Sequence, residues 1–341
     1  AAEVRGVPSG VHFGVSRFFS GSVEVRIEGA AVADVAGRLA MLRPLCALMG
    51  REGNALRTLR LGGNGAWAEG DGATLAAALG AASCVVAELD VSGSGLGADE
   101  AVALVSAGRS LQTLRLGEWV MPVGELRSSK SVSMSGLAVD EAEGAVVGAL
   151  LKTSTSLSTL DLSGSSCAAA ALSRILEGLR ASAAPLAELR LGDQAVGEAE
   201  GAVVGALLKT STSLSTLDLS GSSCAAEAAR LIGEGLRESA APLAELRLAN
   251  VLYTTDGRMP FEAVLERQAA LMSGACRLSL REVDCSAQAI GATETAALQR
   301  LALLFAPELK VASATLCDGG RSVRLEKSEG FGNDGRALLG A

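Results

Sequence analysis

A stretch of 29 residues occurs twice in this chain without a single change, and this duplication constrains the fold more than any other feature. Glu141–Ala169 and Glu198–Ala226 both read EAEGAVVGALLKTSTSLSTLDLSGSSCAA, at an offset of 57 positions. The similarity continues into the AAPLAELRL segments at 183–191 and 240–248. A repeat of this length is typical of solenoids and repeat arrays, in which each unit packs against its neighbours.

Each 57-residue unit contains two related halves, so the basic period is 28 or 29 residues. The halves LSTLDLSGS and LAELRLGDQ fit the leucine-rich-repeat pattern L-x-x-L-x-L-x-x-N/C-x-L. Ala-rich segments at 168–182 and 197–211 are apolar at helical spacing. The pattern predicts a strand and then a helix in every repeat. Its second Leu, or the equivalent residue, falls at Leu59, Leu89, Leu114, Val132, Leu160, Leu189, Leu217, Leu246, Leu278 and Leu309, with a weaker first copy at Val25.

The alternating 28- and 29-residue repeats resemble the ribonuclease-inhibitor-like class of leucine-rich repeats over about 56–311. This resemblance implies an α/β solenoid shaped as a horseshoe, with a parallel sheet on the concave face and helices on the convex face. We therefore expect one continuous core rather than two domains. The predicted organisation is an N-terminal cap at 1–55, the solenoid at 56–311 and a C-terminal cap at 312–341.

Hairpin signals occur in both predicted caps. Residues 11–28 alternate apolar and polar side chains around a Gly-Ser turn, and three of the six Phe residues lie nearby. At the other end, SATLC and SVRLE flank Asp318, Gly319 and Gly320. Because the open ends of a solenoid expose core, we expect both hairpins to cover it.

The turn after each strand departs from the family pattern, which places Asn there. Only Asn64 fits; the other turns carry Ser94, Ser165, Ser222, Gln194 and Val251. A Ser hydroxyl reaches less far than an Asn amide, so we expect a looser hydrogen-bonded ladder of turns. Cys167 and Cys224 occupy the next inward position and are predicted to be small buried core residues.

The spacing between Leu114 and Val132 is only 18 residues, which makes 117–130 the irregular segment of the solenoid. This segment, GEWVMPVGELRSSK, leaves no room for a helix. The favoured interpretation is a decayed repeat that has lost its helix. The alternative is a projecting contact element in which Trp119 and Met121 meet a partner, since Trp often anchors interfaces.

Charged residues alternate at the strand position that points away from the core. In chain order the predicted ladder is Arg60, Asp90, Arg115, Ser133, Asp161, Arg190, Asp218, Arg247, Ser279 and Lys310. These charges either form a recognition strip or pair with each other across neighbouring strands. We favour internal pairing for the duplicated middle. Contact candidates are then the places where the ladder breaks, at Ser133 and from Arg277 to Lys310.

No motif for chemistry accompanies the repeat. The net charge of −8 and the pI near 5.0 argue against a generic nucleic-acid binder, and His12 is the single histidine. Gly93, Gly95 and Gly97 imitate a dinucleotide-binding turn with the wrong spacing. We predict no catalytic, cofactor-binding or metal-binding residues, no cofactor, no nucleic acid, no small-molecule substrate and no membrane insertion.

The predicted function is a non-enzymatic interaction or scaffold module, with unidentified protein partners, such as an accessory subunit of a large assembly. The seven scattered Cys residues favour a reducing interior, cytoplasmic or organellar, and the missing initiator Met is compatible with a removed targeting peptide. The alternative is a GTPase-activating protein, because a family of Ran regulators resembles this repeat class. That family uses an acidic tail, whereas the tail SEGFGNDGRALLGA is short and nearly neutral.

Overall fold

The structure is a computed structural model that describes most of the repeat region. It describes 45–47, 49–50, 52–63, 65–68, 70–239, 243 and 245–247. For 23–26, 282–284, 316–318 and 321–324 it describes the strand backbone alone. The chain divides into two compact units: Ala1–Ser129 with Val139–Ser154, and Lys130–Ala138 with Thr155–Ala341.

Short strands alternate with helices along the described residues. The strands are β1 (Val23–Arg26), β2 (Leu56–Arg60), β3 (Glu88–Asp90), β4 (Thr113–Arg115), β5 (Val120–Met121), β6 (Ser131–Ser133), β7 (Ala138–Val139), β8 (Thr159–Asp161), β9 (Ser166–Cys167), β10 (Glu188–Arg190), β11 (Ala195–Val196), β12 (Thr216–Asp218), β13 (Ser223–Cys224), β14 (Glu245–Arg247), β15 (Glu282–Asp284), β16 (Leu316–Asp318) and β17 (Arg321–Arg324). The helices are α1 (Asp71–Leu79), α2 (Ala98–Ala107), α3 (Val123–Ser128), α4 (Glu141–Thr153), α5 (Ala169–Arg180), α6 (Glu198–Thr210) and α7 (Ala226–Arg237).

The first unit contains a five-stranded sheet in the order β1-β2-β3-β4-β5. Strands β1 to β4 are parallel, and the central apolar residues Val25, Leu59, Leu89 and Leu114 lie opposite one another. The weak first repeat predicted at Val25 is therefore confirmed. Strand β5 departs from the repeat because it runs antiparallel to β4.

The second unit contains an eight-stranded sheet in the order β16-β17-β15-β14-β12-β10-β8-β6. From β6 to β14 the central residues are Val132, Leu160, Leu189, Leu217 and Leu246, in register and buried. These five predicted positions are confirmed. Parallel strands that alternate with helices at this period indicate a leucine-rich-repeat fold.

The prediction that Leu278 centres the next strand is wrong. The strand that pairs with β14 is β15, and it places Val283 opposite Leu246 and Asp284 opposite Arg247. Leu278, Ser279 and Leu309 lie outside the described residues. The C-terminal hairpin is confirmed, because β16 and β17 pair antiparallel. The first arm of the N-terminal hairpin lies outside the described residues.

The core of each unit lies between the sheet and the helices. Strand side chains such as Leu114 and Leu189 are fully buried, as are the inward faces of the helices, for example at Leu104 and Ile175. Full burial of a Leu or Ile side chain contributes about 1.5–3 kcal/mol relative to exposure. Each repeat therefore stabilises the fold through a few aliphatic side chains.

Two kinds of turn alternate after the strands. Where a strand ends in Asp, its carboxylate accepts a hydrogen bond from the amide of a Ser two residues on, at 3.0 Å for Asp90, 2.9 Å for Asp161 and 2.8 Å for Asp218. Where a strand ends in Arg, the corresponding position is glycine after β2 and β10, at Gly62 and Gly192. A Cβ on Gly62 would lie 2.5 Å from Ser92 Oγ and 2.7 Å from Asp90 Oδ1. The Asp turn of one repeat therefore packs against the glycine of its neighbour.

The inner turn positions are buried and use different donors. The hydroxyls of Ser165 and Ser222 each donate to a carbonyl three residues earlier in their own turn. In contrast, Gln194 Nε2 reaches the preceding repeat and donates to Leu162 O at 2.9 Å and to Ser165 O at 2.6 Å. This difference agrees with the expectation that Ser reaches less far. Asn64 and Val251 lie outside the described residues.

The inward cysteines differ from each other in burial. Cys224 is buried, as predicted, whereas Cys167 is half-buried. Burial raises the pKa of the Cys167 thiol, and a hydrogen bond with Ser165 opposes that rise. A raised pKa leaves less of the reactive thiolate at neutral pH.

We expect Gln194→Leu to lower the free energy of unfolding by about 2 kcal/mol, because it leaves the buried carbonyl of Ser165 without its donor. Urea unfolding followed by circular dichroism measures this change. The control is Ser222→Ala, which removes a hydrogen bond inside a single turn and is expected to cost about 1 kcal/mol. Equal losses in the two variants would contradict a bridging role for Gln194.

Candidate protein-interaction surface

An open groove of about 530 Å³ lies on the exposed face of the first sheet. Strands β2, β3 and β4 form its floor, and Val120 of β5 lies on its lining. Val120 is 54% exposed, the most exposed large hydrophobic side chain among the described residues. The lining residues are Thr58, Arg60, Gly62, Gly63, Glu88, Leu89, Asp90, Ser92, Thr113, Arg115 and Val120.

The floor of the groove has a charge arrangement that the second sheet does not share. At the three positions in register these strands read TLR, ELD and TLR, so both acids lie on the central strand and each flanking strand ends in Arg; β2 also carries Arg57, outside the groove lining. In the second sheet, strands β8, β10, β12 and β14 read TLD, ELR, TLD and ELR. In these four strands, each Arg shares its strand with a Glu two residues earlier.

In the second sheet the ladder arginines are ion-paired within the sheet. Arg190 contacts Glu188 at 2.6 Å and Asp161 of the neighbouring strand at 3.7 Å. Arg247 repeats this arrangement with Glu245 at 2.5 Å and Asp218 at 3.7 Å. The hydrogen bond that Arg247 donates to Glu245 is the main cause that raises the pKa of Arg247. The internal pairing predicted for the duplicated middle is present.

In the groove the same positions have other partners. Thr58 Oγ1 on β2 donates to Glu88 Oε2 on the neighbouring strand β3 at 3.2 Å. Arg115 turns toward the following loop, where its Nη2 donates to Glu118 O at 3.1 Å and its Nε to Gly117 O at 3.4 Å. Glu88 and Arg115 are exposed. The groove therefore presents charges of both signs to solvent.

The prediction that 117–130 has no room for a helix is wrong. The segment forms β5 and then the six-residue helix α3, and Met121, Val123 and Leu126 are fully buried. A two-residue antiparallel strand and a six-residue helix take the place of a full repeat, and both fit within the 18-residue spacing between Leu114 and Val132. The segment is packed into the first unit, and Val120 faces the groove.

Arg127 anchors this segment to the end of α2. Its Nη2 donates to Val105 O at 2.6 Å and to Gly108 O at 3.0 Å, and its Nη1 donates to Leu111 O at 2.9 Å. Burial lowers the pKa of this guanidinium, which still stays charged in a protein. A cation at the C-terminus of a helix satisfies its last carbonyls and its dipole.

Glu143 of α4 holds the other end of the segment. Its carboxylate accepts the amide of Asp140 at 3.1 Å, while Asp140 Oδ1 accepts the amide of Glu143 at 2.8 Å, a capping box. A Cβ on Gly117 would lie 2.6 Å from Glu143 Oε1, so the loop passes directly over the carboxylate. The indole of Trp119 lies near the same carboxylate, without the geometry of a full hydrogen bond.

Burial raises the pKa of Glu143 above its ordinary value of 4.5, and the charge of Asp140 adds to this rise. The hydrogen bond from the Asp140 amide opposes it, as do the nearby indole of Trp119 and amide of Gly117. The identical helix α6 has Gly197 at its N-cap in place of Asp140, and its Glu200 accepts a hydrogen bond from Ser173. One helix sequence therefore has two different N-terminal environments.

The predicted contact residues fall in different surroundings. Trp119 is half-buried against Glu143, and Met121 is 1% exposed, so the side chain of Met121 does not belong to a surface. Ser133 is exposed on β6, in register with Asp161. Arg277 and Lys310 lie outside the described residues. Of the charge ladder, Arg60, Asp90 and Arg115 line the groove, whereas Asp161, Arg190, Asp218 and Arg247 belong to the second sheet.

Sequence reasoning missed Val120, Arg127 and Glu143. Val120 follows the predicted contact residue Trp119 directly. Side chains alternate between the two faces of a strand, so Val120 and Met121 had to face opposite sides, one exposed and one buried. The D-E-A-E run at 140–143 is a capping-box signal for Glu143. Nothing in the sequence indicates the contacts of Arg127, because its partners lie 16 to 22 residues earlier in the chain.

No group of three or more His, Cys, Asp or Glu that could hold a metal ion occurs in the part of the chain that the structure describes. The helices of that part are also too short, or too polar, to cross a membrane.

Comparison with known proteins adds little to this description. No protein-family model matches the sequence, and no curated protein matches it. Among solved structures, an internalin (inlF) from Listeria monocytogenes matches with a TM-score of 0.29 and 15% sequence identity, over 72% of this chain and 64% of the internalin chain. A likeness at this level carries no argument. The strand–helix repeat itself indicates the leucine-rich-repeat fold.

We expect the stability gained by Glu143→Gln relative to the wild type to increase as the pH rises above 4.5. Between the ordinary and the raised pKa the folded wild type keeps a proton that the unfolded chain releases, so its stability falls with rising pH. Gln cannot titrate and does not show this fall. Urea unfolding of both proteins between pH 4 and pH 7 measures the difference.

Glu141→Gln is the control for loss of charge, because it removes an exposed carboxylate from the same helical turn. If Glu143→Gln tracked the wild type at a constant offset over this pH range, the pKa of Glu143 would not be raised in the folded protein.

Proposed function

We propose that this chain is a non-enzymatic protein-interaction module that binds its partner at the groove over β2–β4. The observation that carries the proposal is the open groove lined by charges of both signs beside the exposed Val120. Interfaces combine apolar contact with polar groups that fix orientation. The partner contacts are proposed at Val120, Glu88, Asp90 and Arg115.

The chemistry of the lining favours a protein over a small molecule. Small-molecule sites are mostly apolar and enclose their ligand. Here the apolar lining is limited to Val120 and to Leu89, which is buried beneath the floor. The remaining side chains are charged or carry hydroxyls, and they suit the polar surface of another protein.

We propose that the charge ladder of the second sheet stabilises the fold and does not bind a partner. Its arginines contact acids on two strands. The aspartates in these pairs are only 19% and 13% exposed, so the ladder offers a partner little accessible acid. Ser133, Arg277 and Lys310 remain secondary candidates for contact, as does Trp119 through its exposed part.

We further assign the chain to the ribonuclease-inhibitor-like subclass with a horseshoe shape, on the strength of its 57-residue double repeat. A scaffold or accessory subunit inside the cell is the role proposed for it. A GTP-hydrolysis assay separates this role from the GTPase-activating alternative, because an interaction module leaves the hydrolysis rate unchanged.

We expect a photo-crosslinking amino acid at Val120 to capture a protein partner in the native extract. Val120 is exposed at the groove, so a bound partner would lie within reach of its side chain. The matched control is the same substitution at Ala77, an exposed position on α1 of the same unit. Mass spectrometry identifies the products. Equal capture from both positions, or none from Val120, would rule out the groove as the binding site.

We expect Arg190→Glu to lower the free energy of unfolding by about 1 kcal/mol and to leave partner capture at Val120 unchanged. The change places a third acid beside Glu188 and Asp161. Thermal unfolding measures the stability, and the crosslinking yield measures binding. Unchanged stability with lost capture would show that the ladder of the second sheet binds the partner.

A further inference from the structure

We infer that the groove over β2–β4 binds helix α7 of a second copy of this chain, which rests on and deepens the proposed function. The helix carries an acidic–basic–acidic stripe of Glu227, Arg230 and Glu234. The groove carries a basic–acidic–basic row of Arg60, Asp90 and Arg115. The two patterns are complementary in sign and in spacing.

The row in the groove has a defined length. Arg60, Asp90 and Arg115 lie opposite one another on three adjacent parallel strands. Neighbouring strands are about 4.8 Å apart, so the outer two positions are about 10 Å apart. Glu88 reinforces the acidic centre, because it lies on the same face of β3 as Asp90.

The stripe on α7 has the same length. Glu227, Arg230 and Glu234 are separated by three and four residues, so they lie on one face of the helix. The helical rise of about 1.5 Å per residue places the outer two about 10 Å apart. An acid at each end and a base at the centre can therefore face the groove at the same time.

The stripe is held in one geometry before any partner arrives. Arg230 donates hydrogen bonds to both Glu227 and Glu234. All three side chains are accessible, at 48% exposure for Arg230, 44% for Glu227 and 33% for Glu234. Groups that are already ordered lose less conformational freedom on binding.

The duplication shows that this stripe is particular to α7. The equivalent helix α5 has Ala170 and Ser173 at the positions of Glu227 and Arg230. The third position is Glu in both helices, as Glu177 and Glu234. Two differences between the copies thus create the stripe on one helix and leave its duplicate without it.

A competing occupant with the same sign order is the row Asp161, Arg190 and Asp218 of a second copy. The aspartates of that row are only 19% and 13% exposed, and each holds its own turn. They are less available than the α7 stripe. Helix α7 is therefore the occupant we propose.

The contact is expected to be weak and sensitive to salt. Exposed ion pairs contribute about 0–1 kcal/mol each and are screened at high ionic strength. Val120 supplies apolar contact for the aliphatic stems of the stripe. Complementary charge then gives orientation and specificity more than affinity.

Sedimentation velocity of the full chain over a range of concentrations tests the inference. The wild type is expected to show a mass that rises with concentration at low salt and falls back toward the monomer at high salt. Arg230→Glu and Glu88→Arg are each expected to abolish this rise, because each places like charges at the centre of the contact. Glu88 is chosen over Asp90 because the Asp90 carboxylate holds a turn.

Mixing the two variants is the decisive measurement. In the mixture the unchanged α7 of Glu88→Arg can bind the unchanged groove of Arg230→Glu. The all-acidic stripe of Arg230→Glu also faces a groove that carries three bases beside Asp90, so the mixture is expected to associate although neither variant does so alone. The matched control combines Arg230→Glu with Glu188→Arg, the equivalent change in the second sheet, in one chain. This double variant is expected not to self-associate, because its groove still carries Glu88 and faces an acidic stripe. Failure of the mixture, or association in the control, would overturn the inference.

A milder variant guards against effects of folding. Glu227→Ala with Arg230→Ser gives α7 the residues that α5 has at these positions, and it is expected to remove self-association while thermal unfolding changes little. A wild type that stays monomeric at all concentrations refutes the inference about α7. The crosslinking at Val120 distinguishes failure of this inference from failure of the proposed function. Capture of a different protein there contradicts the inference about α7 but supports binding at the groove, whereas no capture contradicts both.

Discussion

The hydrogen bond by which a strand-ending Asp holds the turn after it is the constraint that recurs along the described repeats. The carboxylate of Asp90, Asp161 or Asp218 binds a backbone amide two residues on and leaves bulk at the turn. Gly62, in the turn of the preceding strand, leaves room for that bulk beside Asp90 and Ser92. The acidic positions of the charge ladder therefore also hold the turns. Arg190 and Arg247 pair with two of them, Asp161 and Asp218, across neighbouring strands.

The segment 117–130 shows how a repeat array changes register without losing its core. Buried Met121, Val123 and Leu126 replace the side chains of a full repeat, and Arg127 closes the end of α2. The antiparallel β5 ends the first sheet and presents Val120 at its edge. One short segment thus completes the packing of the first unit and forms part of the groove.

The repeat pattern predicted the strand centres from Leu59 to Leu246, because a buried Leu in every repeat is a local and periodic requirement. It did not predict α3 or β15, where the spacing departs from the period. Strand alternation predicted the ladder positions. It did not predict that the segments TLR, ELD and TLR of β2, β3 and β4 would line one groove, because a groove depends on the neighbouring β5 as well. The contacts of Arg127 depend on packing between distant segments, which no local pattern records.

The exact duplication has a consequence for how this chain reaches its fold. Each copy contains a helix, a strand and a turn of identical sequence, so either copy fits the place of the other during folding. Repeat proteins misassemble when such units exchange. What separates the two copies lies outside the duplicated stretch: Asp140 caps α4, whereas Gly197 caps α6, and Gln194, which bridges two turns, precedes the second copy alone. These flanking residues distinguish the two places in the array, which the repeated sequence itself does not.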